Sequence, residues 1–259
     1  NLADPAYQSF RRNVPVYAQW DDHEVINDFG APWLFWPANP YRPGFPNLVT
    51  MGKKALFDYN PLPGSGKASD RLYRSFNWGK HADLFLLDAR SYRTENYLAD
   101  TPENAKTLLG KKQLAWIKKE LASSQATWKI ISNDVPLSIS TGGNAAVLGR
   151  DAWANGTAAD FSAQTGFERE LLDLLKFLDD ENVKNFVFVT TDVHFTMNIA
   201  YQIDANGDGD LLTFHEFVTG PLNAIMLAPP TSLDPTLNPT ILYSEGPLFN
   251  FGFVQVHEM

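Results

Sequence analysis

Apolar residues recur along this chain in two rhythms, and the alternation between them predicts an α/β fold. Helical spacing, with apolar positions three and four apart, marks residues 6–12, 48–59, 111–122 and 167–178 as helices. In 111–122 the basic residues fall outside the apolar stripe, as on a helix lying at a surface. Short apolar runs mark 14–19, 82–87, 128–132 and 183–191 as buried strands, and 71–78 alternates as an edge or hairpin strand. Strand, helix, strand in this repeated order predicts a mainly parallel sheet flanked by helices. Beyond Phe195 the pattern changes to hairpins, 197–203 and 211–219, and 251–256 reads as a last strand. Two stretches follow neither rhythm. Residues 29–47 are dense in Pro, Gly, Trp and Tyr and read as an ordered loop packed over the domain or a cleft, and 138–165 is a loop region of small residues.

With 259 residues and 44% hydrophobic content, the chain can build the core of one large domain or two small ones. A formal charge of −9 and the lack of a basic cluster argue against nucleic-acid backbones as partners. With no cysteine, disulfides, thiolate nucleophiles and Cys-ligated zinc or iron–sulfur centres are excluded. No apolar stretch reaches the roughly 18 residues of a membrane span, and 1–12 is polar rather than signal-like. The chain opens without Met in a helical pattern and stops just after a strand pattern, so both ends read as cuts in a longer protein.

Chemistry concentrates where apolar runs end. Trp20-Asp21-Asp22-His23-Glu24 follows 14–19 directly, and Asp192-Val193-His194 follows 183–191. Open α/β sheets place their sites beyond the carboxyl ends of their strands. The first cluster alone could be a strand-to-loop turn whose carboxylates cap a following helix, and the second a hydrogen-bonded core pair. Their joint occurrence favours a hard metal held by carboxylate oxygens and imidazole nitrogens that converge from separate strands. Asp88-Ala89-Arg90 offers a guanidinium suited to phosphate, with a structural Asp–Arg pair as the alternative. Residues 204–210 open like a calcium loop, but the twelfth position is His215 instead of Glu, which favours an acidic hairpin turn. His81 and His257 lack acidic neighbours and read as structural or solvated.

Five segments together resemble the PhoD-like alkaline phosphatases, members of the calcineurin-like metallophosphoesterases. They are Val16-Tyr17-Ala18-Gln19-Trp20-Asp21-Asp22-His23-Glu24, Leu86-Leu87-Asp88-Ala89-Arg90-Ser91-Tyr92-Arg93, Leu109-Gly110-Lys111-Lys112-Gln113-Leu114-Ala115-Trp116, Thr191-Asp192-Val193-His194-Phe195 and Glu216-Phe217-Val218-Thr219-Gly220-Pro221-Leu222. The resemblance implies the C-terminal portion of a four-layer α/β/β/α sandwich. It treats 1–259 as a single metallophosphatase domain, incomplete at both ends. It further implies hydrolysis of small phosphate monoesters or diesters by metal-bound hydroxide and a periplasmic or secreted location. Two or more metal ions are implied, Ca2+ and Fe3+ first, with other divalent metals as alternatives. Asp22, Asp192 and His194 would be metal ligands, with Asp21 and Asn27 as further candidates. His23 would protonate the leaving oxygen and Arg90 would steady the phosphate.

Three positions depart from that pattern. The strands carrying the family's first metal motifs would lie upstream, as a missing N-terminal segment that could act as a partner. Thr191 stands where the family has Gly. The middle motif, with His before Pro in the superfamily, reads Asn133-Asp134-Val135-Pro136. The rival expectation is a catalytically silent fragment, or a calcium-dependent binding module built on 204–210.

Overall fold

The computed structural model describes residues 3–30, 47–67, 69–94, 100–139, 151–155 and 166–257. Most of the loop expected at 29–47 and much of 138–165 lie outside these residues. The α/β class holds. In chain order the elements are α1 (Pro5–Asn13), α2 (Leu48–Tyr59), β1 (Arg74–Trp78), β2 (Ala82–Leu86), α3 (Gly110–Ser123), β3 (Trp128–Ser132), α4 (Glu168–Asp180), β4 (Phe186–Thr190), β5 (Thr196–Ile203), β6 (Leu212–Val218) and β7 (Pro239–Glu245). A 3-10 turn, Pro235–Leu237, precedes β7.

The strands form one seven-stranded sheet in the order β1-β2-β3-β4-β6-β5-β7. The pairs β2–β3, β3–β4 and β4–β6 are parallel, whereas β1–β2, β5–β6 and β5–β7 are antiparallel. The expectation of a mainly parallel sheet is thus corrected to a parallel centre with antiparallel margins. Parallel strands need a crossover, which α3 supplies between β2 and β3, α4 between β3 and β4 and β5 between β4 and β6, while short turns join β1 to β2 and β5 to β6 and the longer segment 219–238 leads to β7.

One face of the sheet is dry. Phe85, Ile131, Phe186, Phe188 and Phe214 point from it into a core completed by Ile117 and Leu121 of α3 and by Leu171, Leu174, Leu175 and Leu178 of α4. Alternation sends Ile130, Val187, Val189 and Phe217 to the other face, where they line a groove that segment 251–257 also borders. None of the candidate site residues lines this groove.

Two expected strands are absent from the sheet. Segment 14–19 is extended but makes no ladder, and Val14, Val16 and Tyr17 are exposed. Its hold on the sheet comes from side chains: Tyr17 packs on Phe76 at 4.1 Å between ring centroids, and Arg74 Nη2 donates to Ala18 O at 2.5 Å. Segment 251–256 likewise runs without a ladder, with Phe251 and Phe253 exposed. In their place stands β7, which the sequence patterns do not single out. It is an edge strand that begins at Pro239, where a missing N–H costs no ladder bond, and four of its last five residues are exposed. Among the described residues no helix is long and apolar enough to cross a membrane.

Candidate metal centre

The loops leaving β2, β3 and β4 at one edge of the sheet meet the arm 19–28, which docks onto them through two side chains. Gln19 Nε2 donates to Leu87 O at 2.7 Å and Ser132 O at 3.3 Å, and accepts at Oε1 from Ser132 Oγ at 2.7 Å. Trp20 is buried, donates from Nε1 to Asp88 Oδ1 at 2.9 Å and meets Phe29 edge to face. The arm then turns on its own carboxylates. Asp21 N donates to Glu24 Oε2 and Asp22 N to Asp21 Oδ1, both at 2.9 Å, and Asp28 N donates to Asp22 Oδ2 at 2.8 Å. The carboxylates thus cap the turn itself rather than a following helix, since no helix occurs in residues 21–30.

Asp192 arrives in an unusual turn. Val193 N donates to Thr191 O at 2.9 Å, and Asp192 and His194 have φ of 73° and 65°. A three-residue turn centred on a positive φ is rare and strained, and such strain persists where the surrounding structure enforces it. The result is that ligand-capable oxygens of Asp21, Asp22 and Asp192 lie within 4.8 Å of one another. A second group, Asp22, Asp28 and Asp151, meets the same limit, but Asp151 is already neutralised. Arg90 Nη1 and Arg93 Nη2 each donate to one of its oxygens.

Arg90 is the hub of the site. Completely buried, it donates from Nε to Asp134 at 2.6 Å, from Nη2 to Asp21 at 2.6 Å and from Nη1 to Asp151, and Asp192 lies 3.7 Å away. A guanidinium can hold this many oxygens because its donors form a planar fork. The phosphate-steadying role suggested for Arg90 meets a different geometry, since three carboxylates occupy the group and no part of it reaches solvent. The structural Asp–Arg alternative is realised, though with Asp21, Asp134 and Asp151 as partners. Asp88 instead turns its own loop, accepting at Oδ1 from Arg90 N and Ser91 N.

Six carboxylates, Asp21, Asp22, Asp28, Asp134, Asp151 and Asp192, thus surround two guanidiniums. Burial, opposed by Arg90 and assisted by neighbouring carboxylates, raises Asp21 and Asp192 well above the ordinary carboxylate range. Burial also lifts Asp134 to about 6 and Asp28 to about 7. Asp151 is held low against its burial by Arg90 and Arg93. Elsewhere burial raises Glu168 to about 7 and lowers Lys106 to about 7.

These shifts have opposite signs for stability. Between pH 4 and 7 the folded metal-free chain retains protons on Asp28, Asp134 and Glu168 that the unfolded chain has released, so stability falls as pH rises. Lys106 acts in the opposite sense above pH 7, because the unfolded chain keeps a proton that the folded chain has lost. The expected result is a loss of stability in metal-free protein as pH rises from 5 to 7, read as a lower urea midpoint at pH 7 than at pH 5.

The remaining sequence candidates lie around this centre. His23 stands at the rim with its side chain 71% exposed, its Nε2 3.8 Å from Asp22 Oδ1. Asn27 does not join the carboxylates, since its Oδ1 sits 3.2 Å from His23 Nε2. Nor does His194. Its Nδ1 lies 2.7 Å from Ile225 O, an acceptor, which places the proton on Nδ1 and leaves Nε2 as the ligand-capable nitrogen. The 204–210 loop is the β5–β6 hairpin turn, and its oxygens turn inward: Asp204 accepts from Gly207 N and Gly209 N, Asn206 from Asp208 N, and Asp208 from Asp210 N. His215, in β6, lines the groove on the open sheet face. Sequence reasoning missed Asp28 and Asp151. The only available signal was Arg93 in Asp88-Ala89-Arg90-Ser91-Tyr92-Arg93, a second buried cation that needs an acid.

Comparison with known proteins identifies the family. The profile of the PhoD-like phosphatases matches residues 1–252. Alkaline phosphatase D of Bacillus subtilis (strain 168) is 25% identical over 217 residues, covering 79% of this chain and 35% of that protein. A solved structure of PhoD aligns with a TM-score of 0.56 at 24% identity, over 78% of this chain and 38% of the other. The chain thus spans about a third of the length of the curated relative it matches. With the profile extending over all but the last few residues and the fold shared with PhoD, the chain belongs to the PhoD-like phosphatase family.

Proposed function

We propose that the protein hydrolyses phosphate monoesters or diesters with metal ions held at the Asp21–Asp22–Asp192 cluster. The observation that carries this reading is the convergence of those carboxylates, from two distant parts of the chain, in a member of a phosphatase family. The donor set fits hard cations. It is all oxygen, it carries more negative charge than Arg90 and Arg93 neutralise, and Asp134 Oδ1 is buried without a hydrogen-bond partner among the described residues. Ca2+ and Fe3+ are the metals the reading favours, with other divalent ions as alternatives. Bound there, they would supply Lewis-acid polarisation of a phosphoryl oxygen and an activated water.

The chain's own groups divide the remaining work. Asp22 and Asp192 serve as ligands, with Asp21 shared between the cluster and Arg90. His194 joins through Nε2 once the Thr191–His194 turn adjusts. Arg90 keeps the carboxylates assembled, and Asn27 orients His23. At the rim, His23 can deliver a proton to a departing alkoxide without entering the cluster. His23→Ala is therefore expected to lower kcat by about 10²- to 10⁴-fold while metal content stays unchanged. Loss of metal in that variant would make His23 a ligand instead. A periplasmic or secreted location belongs to the same reading.

The test of the whole reading is hydrolysis of p-nitrophenyl phosphate and bis-p-nitrophenyl phosphate before chelation, after it, and after reloading with Ca2+ and Fe3+. Activity should vanish and return with the metal. Undiminished turnover by metal-free protein would overturn the reading, and metal uptake without turnover would favour the silent alternative.

A further inference from the structure

Beyond the ligand cluster, the geometry points to Gln113 of α3 as a positioning residue for the arm that carries Asp21 and Asp22, an inference that rests on the metal-dependent reading above. The ladder between β2 and β3 ends at Leu86 and Ser132, with one last bond from Leu87 N to Ser132 O at 2.9 Å. Asp88, fully buried, then leaves the sheet with a backbone N–H and C=O that no strand satisfies. Gln113, buried beneath it, satisfies both. Asp88 N donates to Gln113 Oε1 at 2.8 Å, and Gln113 Nε2 donates to Asp88 O at 2.9 Å and to Leu109 O at 3.0 Å. Both amide hydrogens and the oxygen are engaged, so the orientation of the group follows from its surroundings.

With its backbone held in this way, Asp88 aims a single oxygen, Oδ1, at three donors. These are Trp20 Nε1 at 2.9 Å, Ser91 N at 3.0 Å and Arg90 N at 3.2 Å. Two routes therefore run from Gln113 to Asp21. One passes through the Trp20 indole, on the residue just before Asp21. The other passes through the backbone of Arg90, whose Nη2 holds Asp21 at 2.6 Å. The anchoring of α3 in the core does not depend on the amide, because Ile117 and Leu121 supply it. An amide at this position is required by the pairing itself. A Glu would lose both donors, and a Leu would leave the Asp88 N–H and C=O unpaired in a dry site.

The test compares wild-type protein with Gln113→Leu and Gln113→Glu by two measurements. The first is solvent exchange of the Trp20 indole N–H in 1H–15N spectra, with the resonance assigned through Trp20→Phe. The second is Ca2+ affinity by titration, together with kcat and KM. Both variants should accelerate the indole exchange at least about tenfold and weaken Ca2+ binding by about 10- to 100-fold, with kcat falling more than KM changes. The Glu variant keeps the size and acceptor oxygen of Gln and remains informative if the Leu variant does not fold. Unchanged indole exchange or unchanged Ca2+ affinity in a folded variant, whatever its thermal stability, overturns the positioning role. A wild-type chain that takes up neither Ca2+, Fe3+ nor another divalent ion defeats the functional reading and this inference with it. Normal wild-type uptake with unaltered variants defeats this inference alone.

Discussion

Asp22→Asn and Asp192→Asn are each expected to lower phosphoester hydrolysis, and to strip metal from the protein, by more than the roughly 10- to 100-fold that loss of an outer-shell partner costs. Both substitutions remove a charge and keep the shape. At Asp192 the choice matters, because its φ of 73° lies in the left-handed region that Asn tolerates better than most residues. The backbone turn should therefore survive, and the loss can be assigned to the ligand oxygen. Metal-free Asp192→Asn should also melt no lower than wild type, since it removes a buried carboxylate that burial and its neighbours already disfavour. The measurements are kcat/KM on an aryl phosphate, metal content by elemental analysis, and the thermal midpoint without metal. A variant that retained its metal and its rate would move the catalytic centre elsewhere.

Arg90→Met is expected to have the largest effect on stability. Removing one member of a buried ionic cluster strands its partners, which typically costs about 3–5 kcal/mol. Here the stranded groups are Asp21, Asp134 and Asp151, with Asp192 close by. Part of the cost can be relieved by protonation, so the defect should be smaller at pH 5 than at pH 8, and added Ca2+ should restore stability more in the variant than in wild type. Urea denaturation at the two pH values, with and without the ion, checks this. Were Arg90 instead a direct contact to substrate phosphate, the variant would raise KM and leave the urea midpoint in place.

Much of this architecture was legible because apolar periodicity and tertiary burial coincide. The Phe186–Thr190 strand is flanked on both sides and lies under α4, so its unbroken apolar run is what a central parallel strand requires. Segment 14–19 has a similar composition, yet there the residues Val14, Val16 and Tyr17 lie at the surface, and composition alone cannot distinguish a ladder strand from an extended arm. The edge strand β7 was hidden for the opposite reason, since its apolar run is only Ile241-Leu242-Tyr243, follows a proline closely and is largely exposed. Within the site, Asp22 and Asp192 were recognisable from their motifs. Asp28 and Asp151 were not, because an isolated Asp in a loop takes its meaning only from the guanidinium it meets. The partners of Arg90 were hidden for a related reason: its affinity for oxyanions was foreseeable, but not that Asp21, Asp134 and Asp151 of its own chain would meet it.

Arg90 and Arg93 tie carboxylates from four separate stretches of the chain, at Asp21, Asp134, Asp151 and Asp192, to one point. Under the metal-dependent reading the same guanidiniums offset part of the mutual repulsion of the ligands, so these ion pairs would set both how closely the carboxylates approach and how much negative charge is left for a metal ion.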